Sequence, residues 1–63
     1  MEAWIGKVVG KMHLYKITQK YLAEYLGYSR EYIAKILNGK RKPKGAKELI
    51  TKAVDQIIAD RGG

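Results

Sequence analysis

The chain has 63 residues, with 13 Lys and Arg against 6 Asp and Glu, and a formal net charge of +7 at pH 7. A chain of this length forms one domain with a small core, which we expect over residues 1–63, and without cysteine it depends on packing rather than on disulfides. The strong basic excess favours a polyanionic partner.

Apolar residues at the spacing of one helix face predict a first helix; they are Ala3, Trp4, Ile5, Val8, Val9 and Met12. Glu2 is expected in its first turn, where an acid complements the helix dipole. We interpret Gly6 and Gly10, inside this helix, as positions of close backbone packing. A short connection is predicted over residues 14–17.

A second, short helix follows, because Thr18 offers a side-chain cap ahead of new apolar positions. Those positions are Leu22, Ala23, Tyr25 and Leu26. Glycine adopts positive φ without steric cost, so Gly27 is predicted to end the helix while Tyr28 turns inward.

Ser29 is expected to cap a third helix and Glu31 to lie near its positive end. Its apolar positions are Tyr32, Ile33, Ile36 and Leu37, and Asn38 with Gly39 ends it. The basic loop of residues 39–45 is predicted to be extended before Pro43.

A fourth, amphipathic helix is predicted after this loop. Its apolar positions are Ala46, Leu49, Ile50, Ala53, Val54, Ile57 and Ile58. Lys44 and Lys47 are expected at its start, where the helix dipole disfavours a cation by about 0.3–1 kcal/mol, so either a phosphate compensates them or solvent screens them.

Two short helices joined by a tight glycine turn form a helix-turn-helix, predicted here over residues 18–38. Ala23 fits because the following helix crosses over that position. The fold class expected is all-α, a compact bundle of four or five short helices around the helix-turn-helix.

The motif resembles the Cro and repressor family of phage DNA-binding proteins, also called the XRE family. Family members often read TQ, then LA, a G, S-x-x-x-I and NGK. The matching residues are Thr18, Gln19, Leu22, Ala23, Gly27, Ser29, Ile33, Ile36, Asn38, Gly39 and Lys40.

The resemblance implies a lambda-repressor-like fold whose third helix enters the DNA major groove while the second lies across the backbone. It also implies a dimeric transcription repressor of a phage or other mobile element, acting on double-stranded DNA in the cytoplasm, at the nucleoid of a prokaryotic cell. Family domains commonly have a fifth helix, whereas the pattern here predicts four.

Four residues on the outer side of the third helix are candidates to contact base edges: Arg30, Glu31, Ala34 and Lys35. Arg30 can donate two hydrogen bonds to guanine, and its alternative is a solvated arginine. Glu31 either accepts from cytosine or complements the helix dipole. Lys35 either reads guanine or pairs with Glu31.

The candidates for phosphate contact are Thr18, Gln19, Tyr28, Ser29, Tyr32, Asn38, Lys40, Arg41, Lys42, Lys44 and Lys47. In the family, the residue at the place of Gln19 reaches a phosphate or supports a base-contacting side chain. Thr18 bonds to phosphate or only caps its helix. Tyr28 and Tyr32 direct their hydroxyls to the DNA backbone or serve apolar packing alone.

Other classes of function have less support. No nucleophile lies beside a base and His13 stands alone, so we expect no enzyme, metal, cofactor or small-molecule ligand. The N-terminal segment carries lysines and no long apolar run, so we expect neither a signal peptide nor a membrane span. A non-specific architectural DNA-binding protein and an antirepressor-like protein-interaction module remain alternatives to a specific repressor.

A dimer is expected because one recognition helix reads too few base pairs to select a site in a genome. The candidate interface residues are Ile57 and Ile58 or Trp4 and Ile5, and each is alternatively part of the core.

Overall fold

A computed structural model describes residues 2–62, and over that range the backbone forms four α-helices and no strands. They are α1 (Ala3–Leu14), α2 (Gln19–Leu26), α3 (Arg30–Leu37) and α4 (Ala46–Asp60). Helix α2 packs against α3, α1 lies along α4, and α2 also contacts α4. The predicted all-helical bundle is confirmed, with four helices. None of the helices between residues 2 and 62 has the length and apolar character needed to cross a membrane.

A single apolar core contains residues from all four helices. Its buried members are Ile5, Val8, Met12, Ile17, Leu22, Ala23, Ile33, Ile36, Leu37, Ala46, Ile50, Ala53, Val54 and Ile57. The predicted apolar faces are too wide in three places, because Ala3, Tyr25 and Leu49 are exposed. Tyr25 and Leu49 lie at the margins of their helix faces, whereas Ala3, in the first turn of α1, lies on the side of the helix opposite to Ile5 and Val8.

The connection between α1 and α2 begins one residue later than predicted, because Leu14 still belongs to α1. The side chain of Leu14 is 74% exposed. Lys16 takes a positive φ of 56°, unusual for a residue with a side chain. This turn directs Ile17 into the core, where its backbone N–H donates to the carbonyl of Met12 at 2.8 Å. Ile17 is a core residue that the apolar periodicity missed.

The interpretation of Gly6 and Gly10 as close-packing positions is wrong. Both glycines are exposed, and a Cβ added at either one would meet no atom within 4 Å. Glu2 also differs from its prediction, because it is the N-cap of α1 rather than part of the first turn. Its carboxylate accepts a hydrogen bond from the indole N–H of Trp4 at 3.3 Å.

The helix-turn-helix forms as predicted through its caps. The Thr18 hydroxyl accepts from the backbone N–H of Tyr21 at 3.0 Å, and that of Ser29 accepts from Tyr32 at 3.1 Å. Gly27, at φ 81°, ends α2, and the following N–H of Tyr28 reaches back to the carbonyl of Ala23 at 2.8 Å. These local bonds fix α3 across α2.

Helix α3 ends in the same way, with Gly39 at φ 77° and the Lys40 N–H donating to the Lys35 carbonyl at 2.8 Å. The basic loop of residues 39–45 then runs to a turn closed by the Ala46 N–H on the Pro43 carbonyl at 3.1 Å. Residues 41–43 carry no regular structure, as predicted before the proline. Helix α4 begins immediately after this turn.

Candidate nucleic-acid interface

The outer side of α3 is formed by the four residues predicted to contact bases. Arg30, Glu31 and Lys35 are exposed and Ala34 is half-buried. At 3.6 residues per turn, Glu31 and Lys35 point away from the core, and Arg30 and Ala34 lie together on one flank. An eight-residue helix with this exposed side can enter a major groove.

Lys35 does not pair with Glu31 in the part of the chain that the structure describes, where the ion pairs within 4.0 Å are Lys11–Asp55 and Lys42–Glu2. Both charged groups on the outer side of α3 are therefore available to a ligand. Glu31 is in the first turn of α3, so it also complements the helix dipole.

The positive charge is concentrated between residues 30 and 47, where seven Lys and Arg face a single acid, Glu31. All seven basic side chains are exposed. Within residues 2–62 only Lys42 among them has a carboxylate within 4.0 Å, that of Glu2 at 3.9 Å. Their positions are α3, the basic loop and the start of α4, so they follow one another along a single stretch of the chain.

Arg41 is held against α3 by two contacts. Its backbone N–H donates to the Lys35 carbonyl at 3.2 Å, and its guanidinium carbon lies 5.5 Å from the centre of the Tyr32 ring. Lys40 and Lys42, on either side of it, are exposed. The basic loop therefore stays close to the helix that carries the candidate base-contacting residues.

The prediction that Tyr28 turns inward is wrong. Its side chain is 43% exposed, and its ring meets the half-buried Tyr32 ring edge to face, with centroids 5.1 Å apart. The two rings lie beside the turn between α2 and α3. Tyrosine tolerates this position because its ring can pack on one side while its hydroxyl stays in water.

The start of α2 presents Thr18 and Gln19. The Thr18 hydroxyl is already engaged as a cap, which is the structural role that the sequence suggested for it. Gln19 is half-buried in an open cleft between α1 and α2, beside His13 and Lys16. Ser29 is engaged as a cap as well, whereas Asn38 is exposed at the end of α3.

The prediction that both lysines lie at the start of α4 is wrong for Lys44. Lys44 is in the turn before the helix, because Gly45, at φ 79°, is the N-cap. Lys47 does lie in the first turn, but Glu48 beside it places an acid at the same positive end. The unfavourable interaction with the helix dipole therefore applies to Lys47 and not to Lys44, and Glu48 offsets part of it.

The candidate dimer residues divide between core and margin. Ile5 and Ile57 are buried in the core, which removes them from any interface of the folded protomer, and Trp4 and Ile58 are half-buried against it. Ile5 and Ile57 are therefore core residues, which is the alternative that the sequence left open for them.

Two short helices capped by hydroxyls, joined by a left-handed glycine and followed by exposed cations, define a helix-turn-helix DNA-binding protein. Residues 14–47 match the profile of the helix-turn-helix family of the Cro and repressor type. The match spans 34 of the 63 residues, and the chain belongs to this family, also called the XRE family.

Membership establishes a DNA-binding protein of a transcription-regulating family, with double-stranded DNA as its partner. The family is regulatory and typically non-enzymatic. Neither a search of curated proteins nor a search of solved structures returned a match.

Proposed function

We propose that the protein is a sequence-specific transcription repressor that binds a palindromic operator as a dimer and inserts α3 into the major groove. The observation that carries this proposal is the group of exposed cations on α3 and the basic loop, all but one without a carboxylate partner in residues 2–62. Nucleic-acid phosphates are the partners that such a group would take.

Base reading is assigned to the outer side of α3. Arg30 is the principal reader, because an arginine at the start of the helix can donate two hydrogen bonds to O6 and N7 of one guanine. Glu31 accepts from a cytosine amino group, and Lys35 donates to a guanine. Ala34, small and half-buried, lets the helix approach the bases closely and offers its methyl group to a thymine methyl.

Phosphate contact is assigned to the ends of the helix-turn-helix and to the basic loop. Lys40, Arg41, Lys42, Lys44 and Lys47 neutralise one strand of the backbone. The opposite strand is met by Thr18 and Gln19 at the start of α2, and the remaining polar groups near the groove edge are Tyr28, Ser29 and Asn38. Such contacts fix the register of α3 and carry no sequence information themselves.

Dimerisation follows from the reach of one recognition helix. The eight residues of α3 can span only a few base pairs, so selectivity requires a second copy. Two copies with their α3 helices about 34 Å apart would read an inverted repeat spaced by one turn of DNA. The resemblance to phage repressors supports regulation of a mobile element at the nucleoid.

Selection from a duplex library with a randomised centre of about 25 base pairs tests the proposal, since two half-sites one turn apart fit inside it. The wild type is expected to enrich an inverted repeat, and Arg30→Ala to lose or relax one guanine in each half-site. Lys52→Ala is the matched control, because Lys52 is an exposed cation on α4 outside the basic stretch. It should enrich the wild-type sequence.

Each alternative has its own outcome in this experiment. Binding without enrichment, weakened by salt, would identify a non-specific architectural protein. Enrichment of a single half-site, with one protomer per duplex, would reject the dimer and keep the sequence-specific regulator. No duplex binding by the wild type would reject the repressor and favour an acidic protein partner for the basic stretch.

A further inference from the structure

Arg41 is the cation of the basic loop whose backbone and side chain both contact α3. Its backbone is bonded to Lys35, and its guanidinium carbon lies 5.5 Å above the Tyr32 ring. Within residues 2–62 its side chain makes no hydrogen bond and has no carboxylate within 4.0 Å. The aromatic ring is thus the contact that orients this side chain.

The Tyr32 ring is itself fixed. It is half-buried against the core and meets Tyr28 edge to face at an interplanar angle of 60°. The backbone N–H of Tyr32 donates to the Ser29 hydroxyl, and Tyr32 lies in the first turn of α3. A ring packed against the core and against Tyr28, on a backbone held by the Ser29 cap, offers an exposed face to a cation.

We propose that Tyr32 is a positioning residue for DNA binding: its ring holds the Arg41 guanidinium beside α3 so that the guanidinium N–H groups meet a phosphate at the wall of the groove. The inference rests on the proposed function, and it takes the packing alternative for the Tyr32 ring rather than phosphate contact by its hydroxyl. The ring acts on DNA through Arg41, and the phenolic hydroxyl is not needed.

Geometry supports a phosphate as the ligand of Arg41. At 3.6 residues per turn, Tyr32 lies on the flank of α3 opposite to Arg30 and Ala34. When the outer side of α3 faces the bases, this flank faces the groove wall, where phosphates lie. Within residues 2–62 the guanidinium N–H groups of Arg41 make no hydrogen bond, so they remain free for the bidentate contact that phosphate accepts.

Preorganisation explains why the ring matters. A free arginine loses rotamer freedom when it contacts DNA, and that loss weakens binding. Because the Tyr32 ring restricts Arg41 before DNA arrives, part of the loss has already occurred in the free protein. Removing the ring should therefore weaken binding although no charge changes.

A double-mutant cycle on the selected operator tests this, with Tyr32→Leu, Arg41→Ala and the double variant. Tyr32→Leu should raise Kd about three- to fivefold, the equivalent of one exposed cation–π contact, and should have no further effect once Arg41 is absent. Tyr32→Phe keeps the ring and removes the hydroxyl, so its Kd should equal that of the wild type.

Two further readouts keep the test decisive. In the free protein, the δ-protons of Arg41 should carry an upfield ring-current shift that Tyr32→Phe retains and Tyr32→Leu abolishes. Arg41→Lys keeps the charge and loses the planar guanidinium with its bidentate donors, so it should bind about two- to threefold more weakly than the wild type. Because Arg41 is exposed, Arg41→Lys still tests the inference if Tyr32→Leu fails to fold. Circular dichroism would show such a failure.

The inference is overturned if the effects of Tyr32→Leu and Arg41→Ala simply add, if Tyr32→Phe binds as weakly as Tyr32→Leu, or if Arg41→Lys binds like the wild type. Any of these results leaves a wild type that still selects its operator, so the proposed function survives. Failure of the wild type to bind any duplex would instead overturn both.

Discussion

Substitution of glycine by alanine should change the stability of the fold in opposite directions at different positions. It should stabilise the fold at Gly6 and Gly10 and destabilise it at Gly27. A Cβ added at Gly6, Gly10 or Gly27 meets no atom within 4 Å, so packing does not distinguish them. They differ in backbone conformation, because Gly27 has a φ of 81° while the other two lie inside α1.

The magnitudes follow from those conformations. Alanine in a helix interior is favoured over glycine by about 0.5–1 kcal/mol, so Gly6→Ala and Gly10→Ala together should stabilise the fold by about 1–2 kcal/mol. In the left-handed region a Cβ costs about 1–2 kcal/mol. The smaller entropy of the unfolded chain offsets part of that cost, so Gly27→Ala should destabilise the fold by about 1 kcal/mol.

Urea unfolding followed by circular dichroism measures the free energy and the m-value of each variant, and thermal unfolding measures its Tm. The fluorescence of Trp4 is a second probe. For a domain of this size, 1 kcal/mol corresponds to about 4–8 °C in Tm. The pair in α1 should raise Tm and the turn variant should lower it, with m-values unchanged. Operator binding by the α1 variants should match the wild type.

A destabilising effect at Gly6 or Gly10 would refute the reasoning for α1. If that effect grew with protein concentration, the two glycines would belong to an interface between copies, where a methyl group has no room. A neutral Gly27→Ala would show that the turn relaxes away from its left-handed conformation without loss of stability.

Three further predictions concern single side chains. Lys16→Gly should stabilise the fold by about 0.5–1 kcal/mol in urea unfolding, because Lys16 has a φ of 56° at a helix end that favours glycine, and a loss of stability would contradict this. Ser29→Ala should cost about 1 kcal/mol through the lost cap on Tyr32, and operator affinity at full folding should fall only if the hydroxyl also contacts DNA. Glu2→Gln should change stability by less than about 0.5 kcal/mol, since the ion pair with Lys42 is exposed. It should tighten DNA binding about two- to threefold in low-salt titrations, because it frees that lysine. Weaker binding would refute the phosphate contact assigned to Lys42.

The helix-turn-helix was predictable because its determinants are local. A hydroxyl three residues ahead of the N–H that it caps, and a glycine directly after a helix, act within one turn of chain. Thr18, Gly27 and Ser29 therefore identify the motif without knowledge of the rest of the fold. The family match over residues 14–47 covers this segment.

The left-handed turn at Lys16, after α1, escaped prediction because the same backbone arrangement appears there without its sequence signal. The N–H of Ile17 bonds to the Met12 carbonyl, as the N–H of Tyr28 bonds to Ala23 after Gly27, yet Lys16 occupies the glycine position. Burial of Ile17 stabilises a conformation that lysine disfavours. Tertiary packing overrides local preference there, and only the assembled core reveals it.

The composition of the candidate site could be predicted, but its internal contacts could not. Seven basic residues in one stretch are visible in the sequence, whereas the approach of Arg41 to Tyr32 depends on the left-handed turn at Gly39, which folds the loop back along α3. The pairing of Lys42 with Glu2 joins positions 40 residues apart and requires the complete bundle. Sequence therefore predicts which charges are candidates to contact DNA, and the fold decides which of them are already held in one orientation.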